Sequence, residues 1–149
     1  MATHDGFDIR ELNELCSSFL RLAQEQYPEE AKAFLRKQGN EARKTLRAKT
    51  KAVTKKKTGN LLKGIDKSAP HRYQNDFQIR IYNKAPHAHL IEHGHVMADK
   101  FGRPIERNGK EIFVPGKHPA ALATLELKRT VPEAADRWVD EMLERGFAL

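Results

Sequence analysis

The chain has 149 residues, 39% of them hydrophobic and 32% charged, with a formal net charge of +7. That length suits one domain with a real core, while the high charge leaves a sizeable part of the chain solvated or awaiting a partner. The single cysteine, Cys16, excludes an internal disulfide and a Cys-rich metal site, and no apolar run is long enough to span a bilayer.

Met1 to Asp5 show no basic stretch followed by an apolar one, so no secretory signal is expected, and synthesis and use in a cytoplasm are. Residues 8–25 read as a helix, because Ile9, Leu12, Leu15, Cys16, Phe19, Leu22 and Ala23 recur at three- and four-residue spacing. Asp8 and Glu11 fit a capping box at its start. Cys16 then reads as a helix-face thiol in a reducing compartment. Tyr27-Pro28 breaks the pattern.

A second helix is expected from Pro28 to about Val53, with Glu29 and Glu30 suited to its positive end. Ala31, Leu35, Ala42, Leu46 and Val53 form a narrow apolar seam on an otherwise charged rod roughly 39 Å long. Gly39-Asn40 weakens the pattern and marks a place for a bend or break. A rod with so thin a seam suits packing between subunits. The charge is concentrated here: residues 29–67 carry thirteen Lys/Arg and four acids, a local +9 that leaves −2 for the rest. This favours a polyanionic partner such as DNA, or a matching acidic protein surface; the plain alternative is a solvated helix face.

Lys55-Lys56-Lys57 leads into Thr58-Gly59, but the spacing of a phosphate-binding loop is absent. Gly59 reads as a tight turn, with Leu61, Leu62 and Ile65 anchoring a short helical or extended piece. Ala69-Pro70-His71 reads as a loop. Phe77 to Asn83 alternate apolar and polar residues, the pattern of a half-buried strand. Pro86 opens a short helix carrying Ala88 to His93, stopped by Gly94. Residues 96–112 read as irregular and polar, with Phe101-Gly102-Arg103-Pro104 as a turn and Asn108-Gly109 as a hairpin signal; this stretch is expected to project as an arm. Pro119 opens another helix. Thr130-Val131-Pro132-Glu133 predicts a separate or kinked final helix, with Ala135, Trp138, Val139, Met142 and Leu143 on one face. Trp138 reads as a core or subunit-interface anchor.

Residues 81–95 hold four of the seven histidines, and His89, Glu92 and His93 spell H-x-x-E-H. One turn of helix would bring His89 and His93 together on a metal, with Glu92 as general base on a bound water: a zinc-dependent hydrolase. Pro86 and Gly94, however, confine that helix to about two turns, and no second ligand motif follows. Ordinary histidines are the preferred reading, and no metal, cofactor or catalytic residue is expected.

Three segments in order carry a resemblance. They are Lys57-Thr58-Gly59-Asn60-Leu61-Leu62-Lys63-Gly64-Ile65, Ala85-Pro86-His87-Ala88-His89-Leu90-Ile91-Glu92-His93-Gly94, and Val114-Pro115-Gly116-Lys117-His118-Pro119-Ala120-Ala121-Leu122. Over roughly residues 30–145 the chain resembles the phage gene-product-ten-like tail-component family. It departs from that pattern at His93, where an aromatic is frequent, at His95, where Thr is common, and at Ala120, where Phe is frequent. The resemblance makes Glu92 and Gly94 the informative residues of 81–95, with Glu92 expected in a structural hydrogen bond or salt bridge near the turn at Gly94.

The resemblance implies a non-enzymatic virion protein, assembled in the host bacterial cytoplasm and placed at the neck or top of the tail. The implied fold is α+β: long N-terminal helices, a small antiparallel sheet with a projecting hairpin or loop, and a C-terminal helix, in a ring-forming subunit. One domain over 1–149 is expected, with 8–57 helical and basic, 58–116 holding the sheet, short helix and arm, and 117–146 the last helices. The implied partners are further copies in a hexameric or dodecameric ring, the head connector or portal adaptor, the tail tube or tail terminator, and genomic DNA bound without sequence reading; no membrane is involved. Candidate subunit or partner contacts are Glu92, Gly94, Tyr82, Leu61 and Trp138. Candidate residues lining a DNA channel are Lys49, Lys51, Lys55, Lys56 and Lys57. The alternative is a small basic DNA-binding protein.

Overall fold

Pro28 starts a helix, α1, that runs unbroken to Val53. The computed structural model describes residues 27–55 and 59–147, so the helix expected over 8–25, together with Cys16, Lys56 and Lys57, lies outside the described residues. Pro28 occupies the first turn, where its missing N–H costs nothing, and Glu29 and Glu30 sit at the positive end of the helix. Thr54 closes the other end, its hydroxyl and its N–H both donating to the Thr50 carbonyl, at 2.6 and 3.1 Å. Gly39 does not split α1. It is buried, and a Cβ there would collide with the Ile79 side chain crossing over it. The glycine serves a close approach between elements rather than a bend.

Gly59, in the left-handed region at φ 79°, leads into a single helical turn, α2 (Asn60–Lys63). A hairpin follows, built from β1 (Ile65–Lys67), β2 (His71–Tyr73), β3 (Asp76–Gln78) and β4 (Ile81–Asn83). The single strand expected over 77–83 is therefore two short strands. β4 pairs antiparallel with β1, Ile65 opposite Asn83, and β3 pairs with β2, His71 opposite Gln78. The ladder gains one residue on the Ser68–Pro70 side. Pro70 has no N–H to offer a ladder, so the strand bulges there, and His71 belongs to a strand rather than a loop. Ser68 and Arg80 bridge the gap, with Ser68 N–H donating to the Arg80 carbonyl at 2.8 Å and Arg80 N–H to the Ser68 hydroxyl at 3.0 Å.

The short helix α3 spans Ala88–His93 and ends at Gly94, as the sequence pattern predicts. Residues 94–115 are better ordered than their polarity suggests. β5 (Gly94–Val96) pairs with β8 (Phe113–Pro115), and β6 (Glu106–Arg107) with β7 (Lys110–Glu111). Met97, Ile105 and Ile112 are joined by backbone hydrogen bonds of 2.8 to 3.0 Å. Asn108 and Gly109, both at positive φ, make the expected turn. At the other bend Asp99 holds the loop, its carboxylate accepting from the N–H groups of Phe101 and Arg103 at 2.8 and 3.0 Å.

The final helix, α4, is one element, Pro119–Phe147, with Pro132 inside it. Of the two outcomes expected at 130–133, the separate helix does not occur, and Pro132, the expected kink point, lies inside the continuous helix. The Thr130 hydroxyl donates backward to the Glu126 carbonyl at 3.3 Å instead of capping forward. α4 runs antiparallel to α1: the Phe34 and Trp138 rings stack at 5.0 Å, and Lys49 meets Glu126 at 2.7 Å. Small residues permit this approach, and Ala31, Ala42 and Ala123 are buried. The architecture is thus α+β, a helical pair with small antiparallel sheets on its flank. Among the described residues Ala31, Ala42, Ile65 and Ala123 are buried, Ile65 fully. No described helix is long and apolar enough to cross a membrane.

Candidate subunit-contact site

The residues singled out by sequence converge on the junction where α3, the arm and α4 meet. Pro119 begins α4 without an N–H to satisfy. The next two N–H groups, of Ala120 and Ala121, donate to the two carboxylate oxygens of Glu92 at 2.8 and 3.2 Å. Glu92, 28 residues away in sequence, therefore does what an N-cap side chain normally does. Its negative charge also lies at the positive end of a long helix. The hydrogen bond expected of Glu92 is present, and its partner is the start of α4.

Two glycines let this junction close. Gly94, at φ 81°, lies so near Gly116 that a Cβ on it would stand 2.7 Å from the Gly116 nitrogen. A Cβ on Gly116 would in turn stand 2.8 Å from the Gly94 nitrogen. Lys117 N–H donates to the Ile91 carbonyl at 2.8 Å, and His118, at φ 50°, turns the chain into Pro119.

Leu61, Tyr82, His89, Glu92, His93 and Ala120 line one hollow of about 280 Å³ at this junction. Three of the five candidate contacts, Leu61, Tyr82 and Glu92, thus share a surface, with Gly94 adjoining. Asn83 ties its wall together, donating to the Leu61 carbonyl at 3.0 Å and accepting from Ala85 N–H at 2.9 Å. Trp138 stands apart, stacked on Phe34 at the far end of the helical pair and lining a separate groove between α1 and α4.

The hollow does not have the geometry of a metallohydrolase. The Glu92 carboxylate is committed to two backbone N–H groups, leaving it poorly placed to act as a base. Among the described residues no three His, Cys, Asp or Glu side chains stand where they could share a metal ion.

The lysines divide. Lys49 is half-buried in its ion pair with Glu126, whose carboxyl is held below its ordinary range by the hydrogen bond and charge of Lys49. Of the channel-lining candidates, Lys49 is the one tied to α4 by an ion pair. Lys51 and Lys55 are exposed. Asp66 gathers two further cations, Lys84 at 2.8 Å and Arg43 at 3.7 Å. The Lys84 hydrogen bond, then that from Lys67 N–H, lowers its pKa. Sequence reading missed the roles of Asp66 and Gly116, and it placed the turn at Phe101–Pro104 without the Asp99 carboxylate that holds it. The first two act through long-range contacts that leave no periodic signal; the carboxylate's part was readable only from Asp two residues before Phe101-Gly102.

The sequence matches the family described as "Bacteriophage HK97-gp10, putative tail-component" over residues 13–94. The chain belongs to this phage tail-component family. The matched residues begin and end earlier than the 30–145 expected from the motifs, so α1, the bulged hairpin, α3 and Gly94 are the family portion. The arm, the Val114–Leu122 segment and α4 lie beyond it. No curated protein and no solved structure matches the chain. In this tail-component chain, Glu92 and Gly94 close the family portion and fasten α4 onto it.

Proposed function

We propose that this phage tail component is a ring subunit of the neck, joining the head connector to the tail tube or tail terminator around the DNA channel. One observation carries the reading: several large apolar side chains of the described residues stand uncovered. Among the described residues Phe101, Leu125 and Phe113 are 69, 67 and 58% exposed, whereas Ile65 is the large apolar side chain that is fully buried. Phe101 and Phe113 lie on the arm and Leu125 on the outer face of α4. Surfaces of this kind mark protein contacts. A family of tail components supplies the context in which those contacts are made with copies and neighbours in the particle.

In this reading the hollow of Leu61, Tyr82 and Glu92 is a contact surface, and a ring of six or twelve copies surrounds the DNA. Lys51 and Lys55, with Lys56 and Lys57, are the channel-facing residues; they meet phosphates without reading bases. The test is a particle made without this protein. The proposal expects DNA-filled heads and finished tails that stay unjoined, with joining restored by the supplied protein. Normal joined particles would overturn it, as would tails that fail to polymerise. A free-standing DNA-binding role predicts instead tight, salt-sensitive binding of the isolated protein to duplex DNA.

A further inference from the structure

We propose that neighbouring copies join helix face to helix face, the basic outer face of α1 on one copy meeting the outer face of α4 on the next. The proposal rests on the ring reading above and names its interface.

The outer face of α1 is a ridge of cations. Arg36, Lys37 and Lys44 are exposed along it, ahead of Lys51 and Lys55, which the ring reading turns to the channel. After the first turn the ridge carries one acid, Glu41, bonded to Lys44 at 2.9 Å. The outer face of α4 is its opposite. Glu133, Asp136, Asp140 and Glu144 are spaced three, four and four apart, which places them on one side of a helix. All four are exposed, and none has an ion-pair partner among the described residues. Nearer the start of α4 the same side carries Leu122 and Leu125, 40 and 67% exposed, with Arg129 between them and the acids. The α1 ridge offers small residues there, Ala48 and Ala52, both exposed.

The heights agree as well. Within one subunit Phe34 is level with Trp138, and Lys49 with Glu126. Counting along the two antiparallel helices from those pairs, Glu133 to Asp140 are level with the stretch holding Lys37, and Leu122 and Leu125 with Ala48 and Ala52. In a ring generated by rotation about an axis along the helices, elements keep their height. The next copy's α4 therefore brings Asp136 and its neighbouring acids to Arg36 and Lys37 and the leucines to the two alanines, while Lys44 is level with about residue 130, beyond the acids. Glu144 extends past the cationic run, level with Glu29 and Glu30, and takes no part. Each face repels a copy of itself, so the contact is heterologous, the kind that closes rings.

The test is sedimentation of the full chain over a range of concentrations and salt, with two variants whose changes are all exposed: Arg36→Glu with Lys37→Glu, and Glu133→Lys with Asp136→Lys and Asp140→Lys. Each variant alone is expected to self-associate at least about tenfold more weakly than the parent chain. An equal mixture of the two should restore association, because every reversed face then finds a complementary one. Wild-type association should weaken in high salt. Wild-type chain that associates, with neither reversal weakening it, would overturn this interface and leave the neck reading standing. So would variants that fail both alone and mixed. A wild-type chain that stays monomeric throughout overturns the interface too, whereas the neck reading falls only on the particle phenotype.

Discussion

Glu92 is the residue on which the described subunit turns, because it converts a local helix start into a long-range tie. Its carboxylate satisfies the N–H groups of Ala120 and Ala121 at a helix whose first residue, Pro119, has none to satisfy. Removing a capping acceptor costs about 1 kcal/mol, which for a chain of this size lowers the melting temperature by roughly 2–4 °C. Thermal unfolding of Glu92→Ala should show that loss, and Glu92→Gln, which keeps one acceptor oxygen but not the charge, should fall between it and the parent chain. Carboxylates elsewhere give a pH signature. Asp66, Asp99 and Glu126 have lowered pKa values, through Lys84, the backbone N–H of Arg103, and Lys49 respectively. Groups held lower in the folded chain than in the unfolded one stabilise fully above their ordinary values, 3.8 for Asp and 4.5 for Glu. That contribution is lost as pH falls through the folded values. Denaturant midpoints should therefore hold from neutral pH to about 4.5 and drop below it, with Asp66→Asn showing a shallower drop.

At the scale of elements, sequence pattern was most reliable where periodicity was long and least where a distant contact decided the outcome. α1 was legible to the residue, since Pro28, the two glutamates and the alanine-leucine seam all agree. Its one doubtful point, Gly39, was misjudged because the reason for that glycine is Ile79, forty residues on. The strand over 77–83 had the right alternation, but the bulge opposite it depends on Pro70 in the partner strand. The arm looked irregular because both of its faces are exposed, so no alternation records its pairing. α4 defied the local signal at Thr130–Glu133 because packing along α1 on both sides of Pro132 outweighs one missing hydrogen bond. Pro132 is exposed, so Pro132→Ala should restore that bond without disturbing the contact. A rise in denaturant midpoint worth about 1–3 kcal/mol is expected.

At the scale of the molecule, the family was legible because three short segments follow a basic helix in fixed order; residues 13–94 match it, which takes in the first two segments and leaves out the third. Within the stretch that holds the histidines, Glu92 and Gly94 do mechanical work, Glu92 tying the start of α4 and Gly94 letting the chain pass close to Gly116. What sequence could not display is which surfaces remain free after folding. The outer faces of α1 and α4, the hollow by Tyr82 and the arm with Phe101 and Phe113 emerge only once the helices are paired. The proposed neck ring is an assembly that would use these surfaces. The most direct measurement is electron microscopy of intact particles labelled on this protein. The account predicts label confined to the junction between head and tail, in a single ring. Label distributed along the tail shaft, or absent from finished particles, would contradict it.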